Sequence, residues 1–407
     1  MRHRLHLAVL GFILSSSASA DVITDWNRTA LPIISAYSLA APSYRHFAMM
    51  HVAMFEAVNA VEPRFQSYKL NMRAEPGTSQ DAAAAAAAAM VLPRLHPDSE
   101  AKIQGELKQS LAKLADGGSS AASISAGVAL GEKVAAAVLE LRAKDGSSAP
   151  DTYRPRTAPG RYVPTQPVAV PMWGKVTPWT MKTGAQFRPG PPLALESKEW
   201  AQNYNEAKQM GKDSKTRTPL QTETARLWLY TGPGTFFPLA TQLSAAKGLD
   251  VHENARLYAL LATATADAMI AVFDAKYRYE FWRPVTAIRN GDRDNNPATE
   301  RDAGWEPIGP TPMHPEYPCA HCIVAASAGT VLQAFFGAGE VSEFSLSTPT
   351  APGVTHRWTR IEDYIQEPSD ARIWAGIHYR FSTVVGADMG RKIARQAVDS
   401  YFRPVKQ

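Results

Sequence analysis

Apolar positions along the chain recur at helical spacing, and nowhere do they alternate long enough to predict a strand. Phe47, Met50, Met54, Val58 and Val61 share one face and predict a helix over 43–61. His51 falls on that face and reads as a hydrogen-bonded core histidine. Residues 82–89 are all alanine, followed by Met90, Val91 and Leu92. Alanine is the best helix former, and its small side chain lets helices pack closely. Pro97-Asp98 starts another helix, with Ile103, Leu107, Leu111 and Leu114 in one stripe and Asp116-Gly117-Gly118 at its end. A further helix runs to about Lys144 and stops at Asp145-Gly146.

Between Pro150 and Pro192 lie ten of the thirty prolines, with Trp173, Trp179 and Phe187 among them. Proline at that density excludes helix interiors and central strands. The aromatics argue for an ordered belt wrapped over the helices, covering one side of a site. Helices resume near Glu196. Thr218-Pro219-Leu220-Gln221 is a capping box with proline at the first helical position. Asp250 to Glu253 is a second, opening a long helix to about Tyr279. The prediction is an all-α bundle with a long proline-rich ordered connection. After residues 1–20, one helical domain spans 21–407: helices over 21–149, the belt over 150–195, and helices again over 196–407.

Residues 1–20 have a basic start, the apolar run Leu7 to Leu14 and the ending Ala18-Ser19-Ala20, the pattern of a secretory signal. The expected destination is a bacterial periplasm or beyond. No segment offers the ~20 unbroken apolar residues of a membrane span. The net charge of +5 is mild, and Lys and Arg are dispersed, which argues against nucleic-acid binding. The two cysteines, Cys319 and Cys322, can pair in an oxidising compartment. As a CxxC motif they lack the βαβ context of a thioredoxin-type redox pair, supply too few ligands for a structural zinc, and are followed by Ile323 where haem attachment needs histidine.

Three pieces of chain collect cations and imidazoles. Lys276 shares a helix face with Met269, Val272 and Phe273, so it points inward or snorkels at the helix end. Arg283 follows seven residues later, roughly 20° away around an ideal axis, if the helix persists to Trp282. Two such cations repel unless an anion lies between them. Pro318-Cys319-Ala320-His321 opens an apolar helix, Ile323 to Phe336, ended by Gly337, and its first N–H groups form an anion site. His321 in its first turn is either an acid–base group or a plain helix cap. Pro368-Ser369-Asp370 reads as the start of a helix carrying Arg372, Gly376 and His378. There Arg372 and His378 would lie roughly 120° apart, so spacing alone does not aim both at one ligand.

In order, these pieces resemble the vanadium-dependent haloperoxidase and type 2 phosphatidic-acid-phosphatase superfamily. Its first motif, Lys, six residues, Arg, Pro, is matched by Lys276, Arg283 and Pro284. Its second, Pro-Ser-Gly-His, is matched in part by Pro318, Cys319, Ala320 and His321. Its third, Ser-Arg, five residues, His, is matched by Arg372 and His378, with Ala371 in place of serine. Gly376 to Phe381 looks more like the haloperoxidase version, and the matches span roughly the last 130 residues.

The resemblance implies that Lys276, Arg283 and Arg372 bind the oxygens of an oxyanion, with Cys319 standing where a hydroxyl donor belongs and the Ala320 N–H helping. His378 would be the axial ligand of vanadate, or the nucleophile on phosphorus in a phosphatase. His321 would be the acid–base group opposite, Lys276 would polarise bound peroxide, and His314 would shape the halide side. The implied function is a haloperoxidase with vanadate as cofactor and peroxide and halide as substrates. The runner-up is an acid phosphatase hydrolysing phosphomonoesters through a phosphohistidine, without cofactor. A non-catalytic phosphate- or vanadate-binding protein is the third reading. The aspartate that the family places four residues after the axial histidine is Ser382, which implies a looser hold on His378.

Overall fold

The computed structural model describes residues 21–36, 39–164, 166–230 and 232–405. The expected secretory signal at 1–20 lies outside the described residues. Among the described residues thirteen α-helices follow one another: α1 (Val22–Ser35), α2 (Ala40–Val61), α3 (Gln80–Leu95), α4 (Glu100–Asp116), α5 (Ala121–Arg142), α6 (Lys198–Gln209), α7 (Pro219–Leu227), α8 (Phe237–Lys247), α9 (Val251–Tyr279), α10 (Pro284–Arg289), α11 (Ala320–Phe336), α12 (Ile361–Trp374) and α13 (Arg380–Ser400). The prediction of an all-α bundle holds, with one exception. An antiparallel hairpin, β1 (Glu340–Leu346) and β2 (His356–Arg360), lies between α11 and α12. Its paired Phe344 and Trp358 are buried against Tyr364. Most of β1 is accessible, so no core face marks it in the sequence.

Capping explains where the helices begin. The side chains of Asp21, Ser79, Ser120 and Ser197 each accept from a backbone N–H of the helix that follows. Both predicted capping boxes form, Thr218 with Gln221 and Asp250 with Glu253. The alanine run of α3 is buried and packs closely on α5. A Cβ at Gly131 would come within 2.2 Å of the Ala83 carbonyl, so the helices approach to backbone contact.

The centre of the bundle is α9, buried along most of its 29 residues and packed against α2, α11 and α13. In turn α11 and α13 meet through glycine. A Cβ at Gly386 would lie 2.6 Å from the Cys319 carbonyl, and one at Gly390 would lie 2.1 Å from the Ile323 carbonyl. That contact fixes the first turn of α11. By length and composition α5 and α9 could each cross a bilayer, although charged residues interrupt both and neither is an unbroken apolar run. The most apolar stretch of α9 is 94% buried inside the fold, whereas that of α5 is 28% buried.

The belt is ordered, as the aromatics predict, and Asp267 in the middle of α9 anchors it. This fully buried carboxylate accepts from the Trp179, Thr180 and Met181 N–H groups and from the Thr180 hydroxyl, at 2.6–3.2 Å. Farther along, Tyr162 N–H donates to the Glu280 carbonyl at 2.7 Å and Ala169 N–H to the Met313 carbonyl at 2.7 Å. These bonds lay the belt beside the segment that carries the candidate cations.

Candidate oxyanion site

Lys276 stands in the last turn of α9, which stops sooner than a Lys276–Arg283 helix requires. Glu280 turns left-handed at φ 51°, and Arg283 becomes the residue before Pro284 at the start of α10. The two cations still meet, across a turn and not along one helix. A second departure concerns Arg372 and His378. Pro368 lies inside α12, so no helix starts there; Arg372 is in the last turn of α12 and His378 is in the tight turn before α13. That turn needs Gly376, at φ +71°, where a Cβ would also press on Trp305 and the Met210 carbonyl. The reversal brings the arginine and the histidine together, which a straight helix could not do.

The resulting cluster is buried: Lys276, Arg283, Glu316, Arg372 and His378 are each 2% exposed or less. The Lys276 ammonium donates to the Pro315 and Glu316 carbonyls, both at 2.7 Å. Arg283 donates from Nε to the His314 carbonyl at 3.0 Å and from one terminal nitrogen to the Ile377 carbonyl at 2.9 Å. Its guanidinium also lies 3.1 Å from His378 Nε2 and 3.0 Å from His314 Nδ1. A guanidinium only donates, so both imidazole nitrogens must accept. That puts the His314 proton on Nε2, and the 3.2 Å approach of its Nδ1 to the Pro315 carbonyl carries no proton. Arg372 donates to the Trp228 carbonyl at 2.7 Å, and its Nε is buried without a partner among the described residues.

No motif or periodicity marks Glu316. Its carboxylate accepts from His378 Nδ1 at 2.7 Å and from Tyr379 N–H at 3.1 Å. The expected loose hold on His378 is therefore corrected. Ser382 occupies the position of the missing aspartate beside Glu316, and the carboxylate comes from another segment. Pinned at Nδ1, the ring presents its Nε2 lone pair to the cations. Burial raises the Glu316 carboxyl to about 7, against the pull of Arg283 and Lys276. Burial, with Arg283, Lys276 and Arg372 nearby, holds His378 well below the usual imidazole range, so the ring is neutral. Burial also lowers the Lys276 ammonium well below its usual range, and the Arg283 guanidinium adds to the shift. It lowers Arg283 to about 10 and Arg372 to about 9.

At the start of α11, Cys319 is joined to Cys322 by a disulfide. The role of Cys319 as a hydroxyl-like donor is therefore corrected: its sulfur has no hydrogen and accepts from the Cys322 N–H at 3.1 Å. Its own N–H donates to the Ser382 carbonyl. The Ala320 and His321 N–H groups have no acceptor among the described residues and remain as anion donors. His321 Nε2 donates to the Tyr230 carbonyl at 3.1 Å, leaving Nδ1 as the nitrogen open to chemistry. Burial and then Arg372 lower its pKa well below the ordinary value.

Above the cluster lies a cavity of about 430 Å³, with Ala320, His321, His314 and Arg372 at its floor. Belt residues Ala169 and Val170 form part of its wall, as expected of a belt covering one side of a site.

A family model described as the VCPO second helical-bundle domain matches residues 256–407, which hold every residue of the cluster. Vanadium chloroperoxidase of Curvularia inaequalis is 26% identical over 267 residues, covering 51% of this chain and 42% of that protein. The chain thus matches less than half the length of that relative. The crystal structure of the first bacterial vanadium-dependent iodoperoxidase superposes with a TM-score of 0.79 at 25% identity, covering 95% of this chain and 98% of that one. An apo-type bacterial vanadium-dependent chloroperoxidase gives 0.72 at 16% identity, covering 88% and 92%, a likeness of fold.

Proposed function

We infer, from the premise that this chain belongs to the vanadium-dependent haloperoxidase and type 2 phosphatidic-acid-phosphatase superfamily, that it is a vanadate-dependent haloperoxidase oxidising a halide with hydrogen peroxide. One observation carries the reading. Three buried cations surround one neutral imidazole, and the carboxylate beside them is Glu316 alone among the described residues. Buried charge without a counter-charge costs several kcal/mol per ion. An oxyanion offsets that cost, and the partnerless Arg372 Nε gives it a donor. The residues therefore fit vanadate.

Lys276, Arg283 and Arg372 would hold its oxygens, with the Ala320 and His321 N–H groups, and His378 Nε2 would be its protein ligand. Bound vanadate would supply Lewis acidity that activates hydrogen peroxide toward halide without a change of oxidation state. His321, through its Nδ1, would be the group that takes a proton from incoming peroxide. In the sum, hydrogen peroxide, halide and a proton give hypohalous acid and water. We also propose that the chain works outside the cytoplasm; the disulfide supports this, because such bonds persist in oxidising compartments.

The test is a paired assay on the purified chain: bromide and iodide oxidation by hydrogen peroxide, with and without orthovanadate, beside hydrolysis of p-nitrophenyl phosphate. Oxidation that requires vanadate is the expected result. Phosphate release inhibited by vanadate would favour the phosphatase reading, and tight binding without turnover would leave an anion-binding protein. The pairing of Glu316 with His378 makes a further prediction. Glu316→Gln keeps an acceptor for His378 Nδ1 but removes the charge, so vanadate affinity or kcat should fall about 10–100-fold, the usual cost of disturbing a partner behind a ligand. Orthovanadate titration and steady-state kinetics would check it, and parental values would strip Glu316 of its role.

A further inference from the structure

Two side chains of the oxyanion site are aimed by one short piece of backbone. The Trp228 carbonyl accepts from Arg372 at 2.7 Å, and the Tyr230 carbonyl accepts from His321 Nε2 at 3.1 Å. Arg372 comes from α12 and His321 from α11, so residues 228–230 set a charged donor and an imidazole relative to each other. The first bond is the one hydrogen bond of the Arg372 guanidinium among the described residues. The second fixes which ring nitrogen of His321 carries the proton. This piece of chain follows the end of α7 and belongs to no helix or strand that could hold it. Side chains anchor it instead. The Leu227 carbonyl accepts from the Thr348 hydroxyl at 2.9 Å and from the Thr350 hydroxyl at 3.3 Å. At Trp228 itself, the indole Nε1 donates to Glu367 at 2.8 Å.

Glu367 lies on α12 five residues before Arg372, so one helix grips Trp228 twice, at its ring and at its carbonyl. The same carboxylate accepts from His356 Nδ1 at 2.7 Å and from Trp358 Nε1 at 3.1 Å, both on β2. Three donors on one side chain call for an ionised acid, because an amide offers a single accepting oxygen. The bond to Glu367 raises His356 above the ordinary imidazole range, against burial, so one of those donors is charged. The Trp228 ring is buried, with its centroid 5.6 Å from Tyr364 and 6.5 Å from Trp358. Packing keeps the ring in place, and the bond to Glu367 gives it direction. We propose that Glu367 is a positioning residue of the oxyanion site: through the Trp228 indole it holds residues 228–230 so that their carbonyls keep Arg372 and His321 directed at the anion. The anion half rests on the function proposed above; the grip on the two side chains does not.

The test compares Glu367→Gln, Trp228→Phe, the two combined, and Trp358→Phe. Trp228→Phe keeps an aromatic ring but has no N–H for Glu367. Trp358→Phe takes the other indole from the same carboxylate and leaves the link to the site whole. Orthovanadate affinity is read by equilibrium dialysis. Glu367→Gln and Trp228→Phe should each weaken binding about 3–10-fold, less than the roughly 10–100-fold lost with a partner that touches the ligand itself. The combined variant should lose no more than the greater single loss, since both changes cut one link. Trp358→Phe should bind within twofold of the parent, whatever its melting temperature. Parental affinity in either single variant, additive losses in the combination, or a loss in Trp358→Phe as large as in Glu367→Gln would overturn the proposal. The grip on His321 is read without anion, by histidine-selective NMR with His321→Gln to assign its signal. The Nε2 proton should exchange with solvent about tenfold faster or more in Glu367→Gln and Trp228→Phe, as local opening becomes easier; exchange equal to the parent's would overturn the link. A parent that binds no orthovanadate would count against the haloperoxidase reading alone, and the exchange rates would then decide. Circular dichroism identifies a variant that fails to fold, and either single variant then stands for the other.

Discussion

Replacing His378 with alanine is expected to lower vanadate-dependent halide oxidation by on the order of 10³-fold or more, the scale on which enzymes respond to losing a group that acts on the reacting centre. The reason is geometric. The Nε2 lone pair lies against Arg283 among the cations of the cluster, and Glu316 fixes its direction through Nδ1. Alanine removes the lone pair, the aim and the partner of a buried carboxylate together. Orthovanadate binding by equilibrium dialysis should fall in parallel, while helical content by circular dichroism stays at the parental level. A rate within tenfold of the parent would take this histidine out of the mechanism.

For Arg372→Met, function and stability should move in opposite directions. The guanidinium is buried, makes one hydrogen bond to the Trp228 carbonyl, leaves Nε unpaired and is held down to about 9 by burial and Arg283. Replacing a buried charge with an apolar side chain of similar size is often neutral or stabilising. The anion-free variant should therefore melt no lower than the parent. Its affinity for orthovanadate should fall about 10–100-fold, the worth of one hydrogen bond to a charged group, roughly 1.5–3 kcal/mol. The parent itself should gain about 2.7 kcal/mol of stability at a hundredfold excess of vanadate over Kd, and the variant should gain less at the same concentration. Equal stabilisation of both by vanadate would mean that Arg372 does not touch the anion.

Much of the architecture can be read from the chain because its signals are local. The long helix α9 announces itself by the Asp250–Glu253 box and an unbroken apolar pattern; α11 does so by Pro318 before it and Gly337 after it. The first helix, α1, has an equally local cap in Asp21, but the apolar run and small residues of 1–20 directly before it mask its start. Pro368 misleads because proline usually marks the first turn of a helix, whereas here it lies mid-helix. The cluster is legible in part: the spacing of Lys276 and Arg283, and the histidines that follow, are sequence features. What closes it is not. Glu316 sits in a loop without periodicity and reaches His378 across 62 residues. No one-dimensional pattern encodes that pairing, since it depends on the left-handed turns at Glu280 and Gly376.

The sulfur pair at the start of α11 bears on the working life of such a catalyst. A protein that handles peroxide risks self-inflicted damage, and a free thiolate is the first side chain such an oxidant consumes. Neither Cys319 nor Cys322 is free, and both are buried. The bond between them has already surrendered the electrons the oxidant would take. On the haloperoxidase reading, the position that cannot lend a hydrogen to the anion is, for the same reason, one that would not wear out with turnover.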